Sequence, residues 1–239
     1  MRVLITGGGG QLAADLVRAL GDCVAAAPTH TELDITDVAG IERALAELAP
    51  DVVINTAAFH RVDRCESELE RSFAVNAAAC ARCGSLLVHV STDYVFDGKQ
   101  RRPYCEEDTM APINVCGASK AAGELAIRAT TTHDLIIRAT GLYGLAGRTA
   151  PHGNSVETML RLAAAEKPIM VVDSQKLTPT YAADLATSLA QLLERGATGT
   201  YHVTVHGRRR YGVTDAKIHR DMRLIHVPGM RSSDAMTSW

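Results

Sequence analysis

Aromatic residues make up only 4% of the chain, the formal net charge is only -2 at pH 7, and no apolar run approaches the roughly 18 residues of a membrane span. Each shortage closes a class. A chain this near neutrality has no general attraction for nucleic acid or for anionic lipid. The first residues, "MRVLIT", pass from one arginine into a β-branched run and then glycines, with neither the length nor the small-residue cleavage site of a signal peptide. A cytoplasmic protein is expected. The six cysteines, Cys23, Cys65, Cys80, Cys83, Cys105 and Cys116, are scattered and suggest no disulfide framework, so they are expected to be reduced. Cys80 and Cys83 form a C-x-x-C, yet no second C-x-x-C or H-x-x-x-H follows at zinc spacing. No metal site is expected, and within "NAAACARC" the two read as small buried helix residues.

What is present is alternation. With 46% hydrophobic and 22% charged residues, 239 residues suffice for one sizeable core, or for a nucleotide-binding domain with a small appendage. Strand-like runs "RVLIT", "CVAAA", "DVVINTA" and "LLVHVST" alternate with helical segments "LAADLVRAL", "VAGIERALAEL" and 68–83. A helix over 116–130, a strand over 135–140, a helix over 155–166, the strand "IMVVD", a helix over 180–194 and a strand over 200–204 continue the pattern. Repeated βαβ units of this kind predict an α/β, Rossmann-like doubly wound parallel sheet. Residues 1–204 are expected to form the dinucleotide-binding domain, including a substrate-side insertion at 142–172. The tail, 205–239, carries six Arg and one Lys against three Asp and keeps neither helix nor strand period for long. Its "RRR" at 208–210 reads as a solvated face, and the tail as poorly folded or loosely docked.

"TGGGGQLAAD" follows the first strand and opens the first helix, with Gly7, Gly10 and then Ala13 at the three small positions of a dinucleotide loop. Backbone N–H groups at such a helix start can approach a pyrophosphate. After the second strand, "PTHT" at 28–31 supplies no acid to grip a ribose 2′-hydroxyl or repel a 2′-phosphate, so NADPH is permitted. In "LDIT", Asp34 accepts from an adenine amino group, or else Asp34 or Thr36 simply caps the following helix. "NTAAF" at 55–59 ends the third strand with small residues that leave room for a nicotinamide ribose, or that simply pack closely. "STDYVFDG" puts the Thr92 hydroxyl at the carboxyl end of the fourth strand, facing the crevice of a doubly wound sheet, and Lys120 lies one helical turn after Cys116 on the same face.

Taken in order, "TGxxGQL", "LDIT", "PDVVINTAAF", "VDRCESE", "AVNA", "VHVSTDYVFDG", "NVCGASKAAGE" and "TPTYAADLA" resemble the dTDP-4-dehydrorhamnose reductases, extended short-chain dehydrogenase/reductases that make dTDP-L-rhamnose. The resemblance runs from Met1 to about Thr204. It implies hydride transfer from NADPH or NADH to a nucleotide-sugar ketone, and it leaves a homodimer open. By the same resemblance Thr92 would orient the ketone, Asp93 would contact the sugar and Lys120 would hold the nicotinamide ribose. Gly7, Gly10, Gln11 and Leu12 would take the pyrophosphate, Asp34 and Ile35 the adenine, and Ala57, Ala58 and Phe59 the nicotinamide half.

Four features depart from the family pattern. The tyrosine that gives its proton to the ketone falls on Cys116, whose thiol ends roughly 4 Å short of a phenol oxygen, outside direct proton-transfer reach. Gly141 stands where many members carry a large aromatic residue. The segment from Asn76 to Leu86 is about two helical turns shorter than usual, and the tail does not resemble the family's closing segment, which leaves the substrate-binding part small and incomplete. The implied enzyme is therefore impaired, and the alternative is a catalytically dead dinucleotide-binding or regulatory protein of the same family.

Overall fold

Strands β1 (Val3–Thr6), β3 (Val52–Asn55), β4 (Leu86–Thr92) and β5 (Asp134–Ala139) are short runs rich in valine, leucine and isoleucine, buried along nearly their whole length. Side chains alternate across a strand, so each strand feeds two cores. Val3, Ile5, Val52, Ile54, Val88, Leu135 and Ile137 pack against Leu12 and Leu16 of α1 (Gln11–Leu20) and Leu185 and Leu189 of α7 (Ala182–Glu194). On the opposite face, Leu4, Val53, Leu87 and Ile136 meet Ile127 of α5 (Val115–Thr130), with Leu45 and Leu48 of α2 (Val38–Leu48) against them. Full burial of each such side chain is worth about 1.5–3 kcal/mol.

With β2 (Val24–Ala26) and β10 (Gly199–His202), these strands form one six-stranded sheet of order β2-β1-β3-β4-β5-β10, parallel at every pairing. This is the doubly wound sheet expected from the alternation. The computed structural model describes residues 1–77, 85–146, 154–165, 169–171, 176–204, 209–210 and 224–226. Among these, no helix is long and apolar enough to cross a membrane.

The helix expected over 68–83 differs. Its described part is preceded by a separate short helix, α3 (Val62–Ser67), and α4 (Leu69–Asn76) begins after a break at Glu68, where φ is -119° and ψ is 57°. Glu68 accepts from Arg64 Nε at 2.6 Å and from Arg71 at 3.2 Å, so its carboxylate bridges the two helices. Cys80 and Cys83 lie outside the described residues.

In the expected insertion, β6 (Leu142–Tyr143) pairs with β9 (Thr180–Tyr181), and Asn154 caps α6 (Ser155–Ala164) by accepting from Glu157 N at 3.0 Å. Two strands in the tail, β11 (Arg209–Arg210) and β12 (Leu224–His226), pair with β8 (Lys176–Leu177) and β7 (Ile169–Val171). These five tail residues are thus strand, against the expectation of neither period. The remaining tail lies outside the described residues.

One charged cluster crosses the sheet. Glu124 of α5 is fully buried, as is nearly all of Arg138 on β5. The carboxylate accepts from Arg138 Nη2 at 2.7 Å and Nε at 3.0 Å, and from Ser91 Oγ of β4 at 2.5 Å. Removing one member leaves the other charge buried without its partner, so Glu124→Leu should cost about 3–5 kcal/mol. Ser91→Ala, which removes a single hydroxyl donor, should cost about 1–2 kcal/mol. Urea denaturation of the two variants tests this ranking; equal losses would mean that Arg138 finds another acceptor.

Candidate functional site

The chain leaves β1 towards β2 and then returns to β3 on the other side, so the carboxyl ends of β1 and β3 open a crevice at the switch point. The glycine loop closes this crevice from one side. Gly7 has φ +77°, and a Cβ there would meet Ala57 N at 2.7 Å; a Cβ on Gly8 would meet Ala27 O at 1.9 Å. Gly8 also donates to Pro28 O at 2.8 Å. Gly8, undistinguished within the GGGG run, is therefore as constrained as Gly7. Gly10 is the N-cap of α1, with no side-chain cap bond and no acid in the first turn.

An uncapped, positively polarised helix end beside glycine backbone fits a pyrophosphate. The side chain of Gln11 is committed elsewhere: its Nε2 donates to Leu142 O at 3.0 Å, and its Oε1 accepts from Asn154 at 3.4 Å. Leu12 is in the core. Any phosphate contact from these two would come from their backbone N–H groups.

On the adenine side, Asp34 is exposed and Ile35 is buried. Asp34 Oδ1 accepts from Thr36 N at 2.8 Å and Thr36 Oγ1 at 2.7 Å, and these bonds hold its carboxyl below the usual range. The helix-cap alternative is corrected here: the N-cap of α2 is Asp37, without a side-chain cap bond. Glu32 folds back to accept from Thr29 N and Oγ1, both at 2.8 Å.

On the nicotinamide side, one residue sets the loop after β3. Asn76 Oδ1 accepts from Phe59 N at 3.0 Å, while its Nδ2 donates to Phe59 O and Ser119 Oγ, both at 2.9 Å. Asn55 Oδ1 accepts from Ala57 N at 3.1 Å. These bonds fix Ala57, Ala58 and Phe59 as backbone, and the Phe59 ring is covered by the guanidinium groups of Arg64 and Arg71, 5.5 and 5.1 Å from its centroid. Asn76 has no site signature of its own in the sequence, because its partners are 17 and 43 residues away.

Helix α5 is brought against this crevice by two glycines. A Cβ on Gly117 would meet Tyr94 O at 2.1 Å, and one on Gly123 would meet Asn76 O at 2.3 Å. The close approach brings Thr92, Asp93, Cys116 and Lys120 to one end of the sheet. Thr92 Oγ1 donates to Asp93 Oδ1 at 3.2 Å, and Thr140 Oγ1 donates to Asp93 Oδ2 at 2.7 Å. Burial raises the Asp93 carboxyl despite these donors. Lys120 is buried and donates to Val90 O at 2.8 Å. Burial first, and then the Lys120 charge, press the pKa of His89 well below the ordinary imidazole value.

Cys116 is buried and lies near Cys65 of α3. The Cys65 thiol, then burial, pushes the Cys116 thiol up, whereas Cys65 is lowered to about 7, chiefly by Cys116. Cys65, read in the sequence as a scattered cysteine and within "VDRCESE", is given no role there. Gly141, where many family members carry a large aromatic residue, has φ +49°, a left-handed backbone that favours glycine. Among the described residues, no group of three or more His, Cys, Asp or Glu could hold a metal ion.

A family model described as "RmlD substrate binding domain" matches residues 1–225, reaching beyond Thr204 into the tail. The spore coat polysaccharide biosynthesis protein SpsK of Bacillus subtilis is 40% identical over 215 residues, covering 86% of this chain and 74% of that protein. The dTDP-4-dehydrorhamnose reductase of Burkholderia thailandensis is 37% identical over 234 residues, 90% of this chain and 77% of that protein. In a solved structure, the dTDP-4-dehydrorhamnose reductase of Bacillus anthracis in complex with NADP aligns with a TM-score of 0.80 and 36% identity, covering 87% of this chain and 76% of that one.

The wedge at Gly8 can be tested against its neighbour. A Cβ on Gly9 would meet only the Thr29 methyl at 3.7 Å, an ordinary contact. Gly8→Ala should lose about 1–3 kcal/mol in urea denaturation through forced backbone movement, and Gly9→Ala should stay within about 0.5 kcal/mol. Similar losses would show that the loop is not held against Ala27.

Proposed function

The chain belongs to the RmlD substrate-binding-domain family, whose relatives here include oxidoreductases named dTDP-4-dehydrorhamnose reductase, and on that premise we propose that it reduces the ketone of a dTDP-4-keto-6-deoxy sugar, dTDP-4-dehydrorhamnose to dTDP-L-rhamnose, at a rate limited by the loss of its main acid. The observation that carries this reading is the meeting of a dinucleotide crevice with Thr92 and Lys120 at the carboxyl end of one parallel sheet. NADPH or NADH, when bound, supplies the hydride.

The chain's own residues do the rest. The backbone at Gly7, Gly10, Gln11 and Leu12 holds the pyrophosphate at the start of α1, and Asp34 and Ile35 flank the adenine. Ala57, Ala58 and the clamped Phe59 carry the nicotinamide half, beside which Lys120 holds the ribose. Thr92 orients the ketone oxygen. Asp93 bonds to Thr92 and Thr140, so it fixes the hydroxyl that meets the substrate as well as contacting the sugar. The proton for that oxygen has a poor source, since the Cys116 thiol is buried, raised and already engaged with Cys65. This engagement also favours the second reading, a dinucleotide-binding or regulatory protein without turnover.

Binding and turnover separate the two readings. Saturating NADPH or NADH should raise the melting temperature by mass action under either. With dTDP-4-dehydrorhamnose, Cys116→Tyr should increase kcat for NADPH oxidation by about 10²–10⁴, the worth of a positioned acid, with NADPH affinity unchanged. No gain from the phenol would favour the binding protein. No thermal shift with either nucleotide would overturn the cofactor assignment.

A further inference from the structure

We propose that Cys65 and Cys116 are an oxidisable dithiol, a modification site that takes a hydroperoxide and closes to an intramolecular disulfide between α3 and α5. The two cysteines are 51 residues apart and come from different helices, yet each thiol lies close enough to shift the other's ionisation. The pairing does not rest on that contact alone. The Glu66 carboxylate, next to Cys65, accepts from the backbone N–H of Val115, next to Cys116, at 2.8 Å. One turn further along α5, Ser119 accepts from Ser72 Oγ at 3.2 Å and from Asn76 Nδ2 at 2.9 Å. The α3–α4 segment is therefore held on α5 on both sides of the sulfur pair.

The environment of the pair is mixed. Cys65 Sγ donates to Phe59 O at 3.4 Å, which favours its neutral form. Because a shared proton can stay between the two sulfurs, the pair loses its first proton more readily than a lone buried thiol, and Cys65 falls to about 7. The Lys120 ammonium, one turn from Cys116, favours the negative charge, and the Glu66 carboxylate next to Cys65 opposes it. Cys65 is 0% exposed and Cys116 6%, so Cys116 is the more accessible sulfur.

The step balances. With the pair's remaining proton on Cys65, the Cys116 sulfur attacks one oxygen of hydrogen peroxide, the O–O bond breaks, the departing oxygen takes a proton and leaves as water, and the sulfur becomes a sulfenic acid. The second sulfur then attacks the first; the S–S bond forms, the S–O bond breaks, and a second water leaves. Two electrons have passed from the sulfurs to the peroxide, and both thiol protons end in water.

Trypsin makes the test direct. Cleavage releases Cys65 in 65–71 and Cys116 in 102–120, whose only other cysteine is Cys105, exposed and outside the site. The full-length chain carrying Cys105→Ser is exposed to hydrogen peroxide, alkylated with iodoacetamide and digested without reductant. The expected result is a covalent 65–71/102–120 pair, absent before peroxide and reversed by dithiothreitol, with the melting temperature of the oxidised chain raised by about 5–10 °C. Complete alkylation of the 65–71 peptide after peroxide, or its linkage to the peptides bearing Cys80 or Cys83, would overturn the proposal. As both results are read on a chain with its site cysteines intact, neither depends on a variant at 65 or 116 folding.

Discussion

The site depends on a carboxylate that never meets solvent. Glu124 draws together Ser91 from β4 and Arg138 from β5, and it does so from the helix that carries Lys120 one turn earlier. Ser91 is the residue before Thr92, so the same bond that docks α5 also sets the strand end bearing the candidate hydroxyl. Buried ion pairs are poor sources of net stability, because desolvation offsets most of the attraction. What this one contributes is position: hydrophobic packing alone would let α5 slide along the sheet, whereas a carboxylate with two defined donors fixes its register. The glycines of the same helix are the steric counterpart, since Gly117 and Gly123 admit the backbones of Tyr94 and Asn76 where any side chain would hold them off.

These constraints separate what has been kept from what has changed. The dinucleotide side is built from backbone: glycine N–H groups, a helix end, and a loop held by Asn55 and Asn76. Such a site tolerates much side-chain change. In the proposed reaction the ketone side depends on side chains instead. The thiol at 116 lies near that of Cys65 on α3, and the Lys120 charge acts on it.

The fold was legible because its signals are local. Short apolar runs flanking amphipathic segments gave the strand and helix order from "RVLIT" to "TYHV", and the glycine loop marked the crevice. The break at Glu68 was not legible, since α3 spans only 6 residues and shows no full period. Nor could Cys65, Asn76 or Glu32 be assigned, for a different reason: each acts through a fold-back or a contact between distant elements, and periodicity carries no information about such contacts. Asp34 could be singled out as a useful acid, but its turn with Thr36 depends on backbone angles that composition does not reveal. The glycines of "NVCGASKAAGE" were visible as a motif, and only the packed helix explains why they are there.

The anchoring of Asn76 has a consequence for how the chain can change in length. Asn76 is tied by its own side chain to Phe59 and Ser119. At the start of β4, Ser85 Oγ donates to Pro50 O at 2.6 Å and Leu86 N donates to Asp51 O at 3.1 Å. Both residues that flank 78–84 are therefore held by bonds to other elements. Those bonds do not depend on the length of the stretch between them. Evolution can edit that stretch, and a protein engineer could use it as a graft site, while the crevice stays as it is.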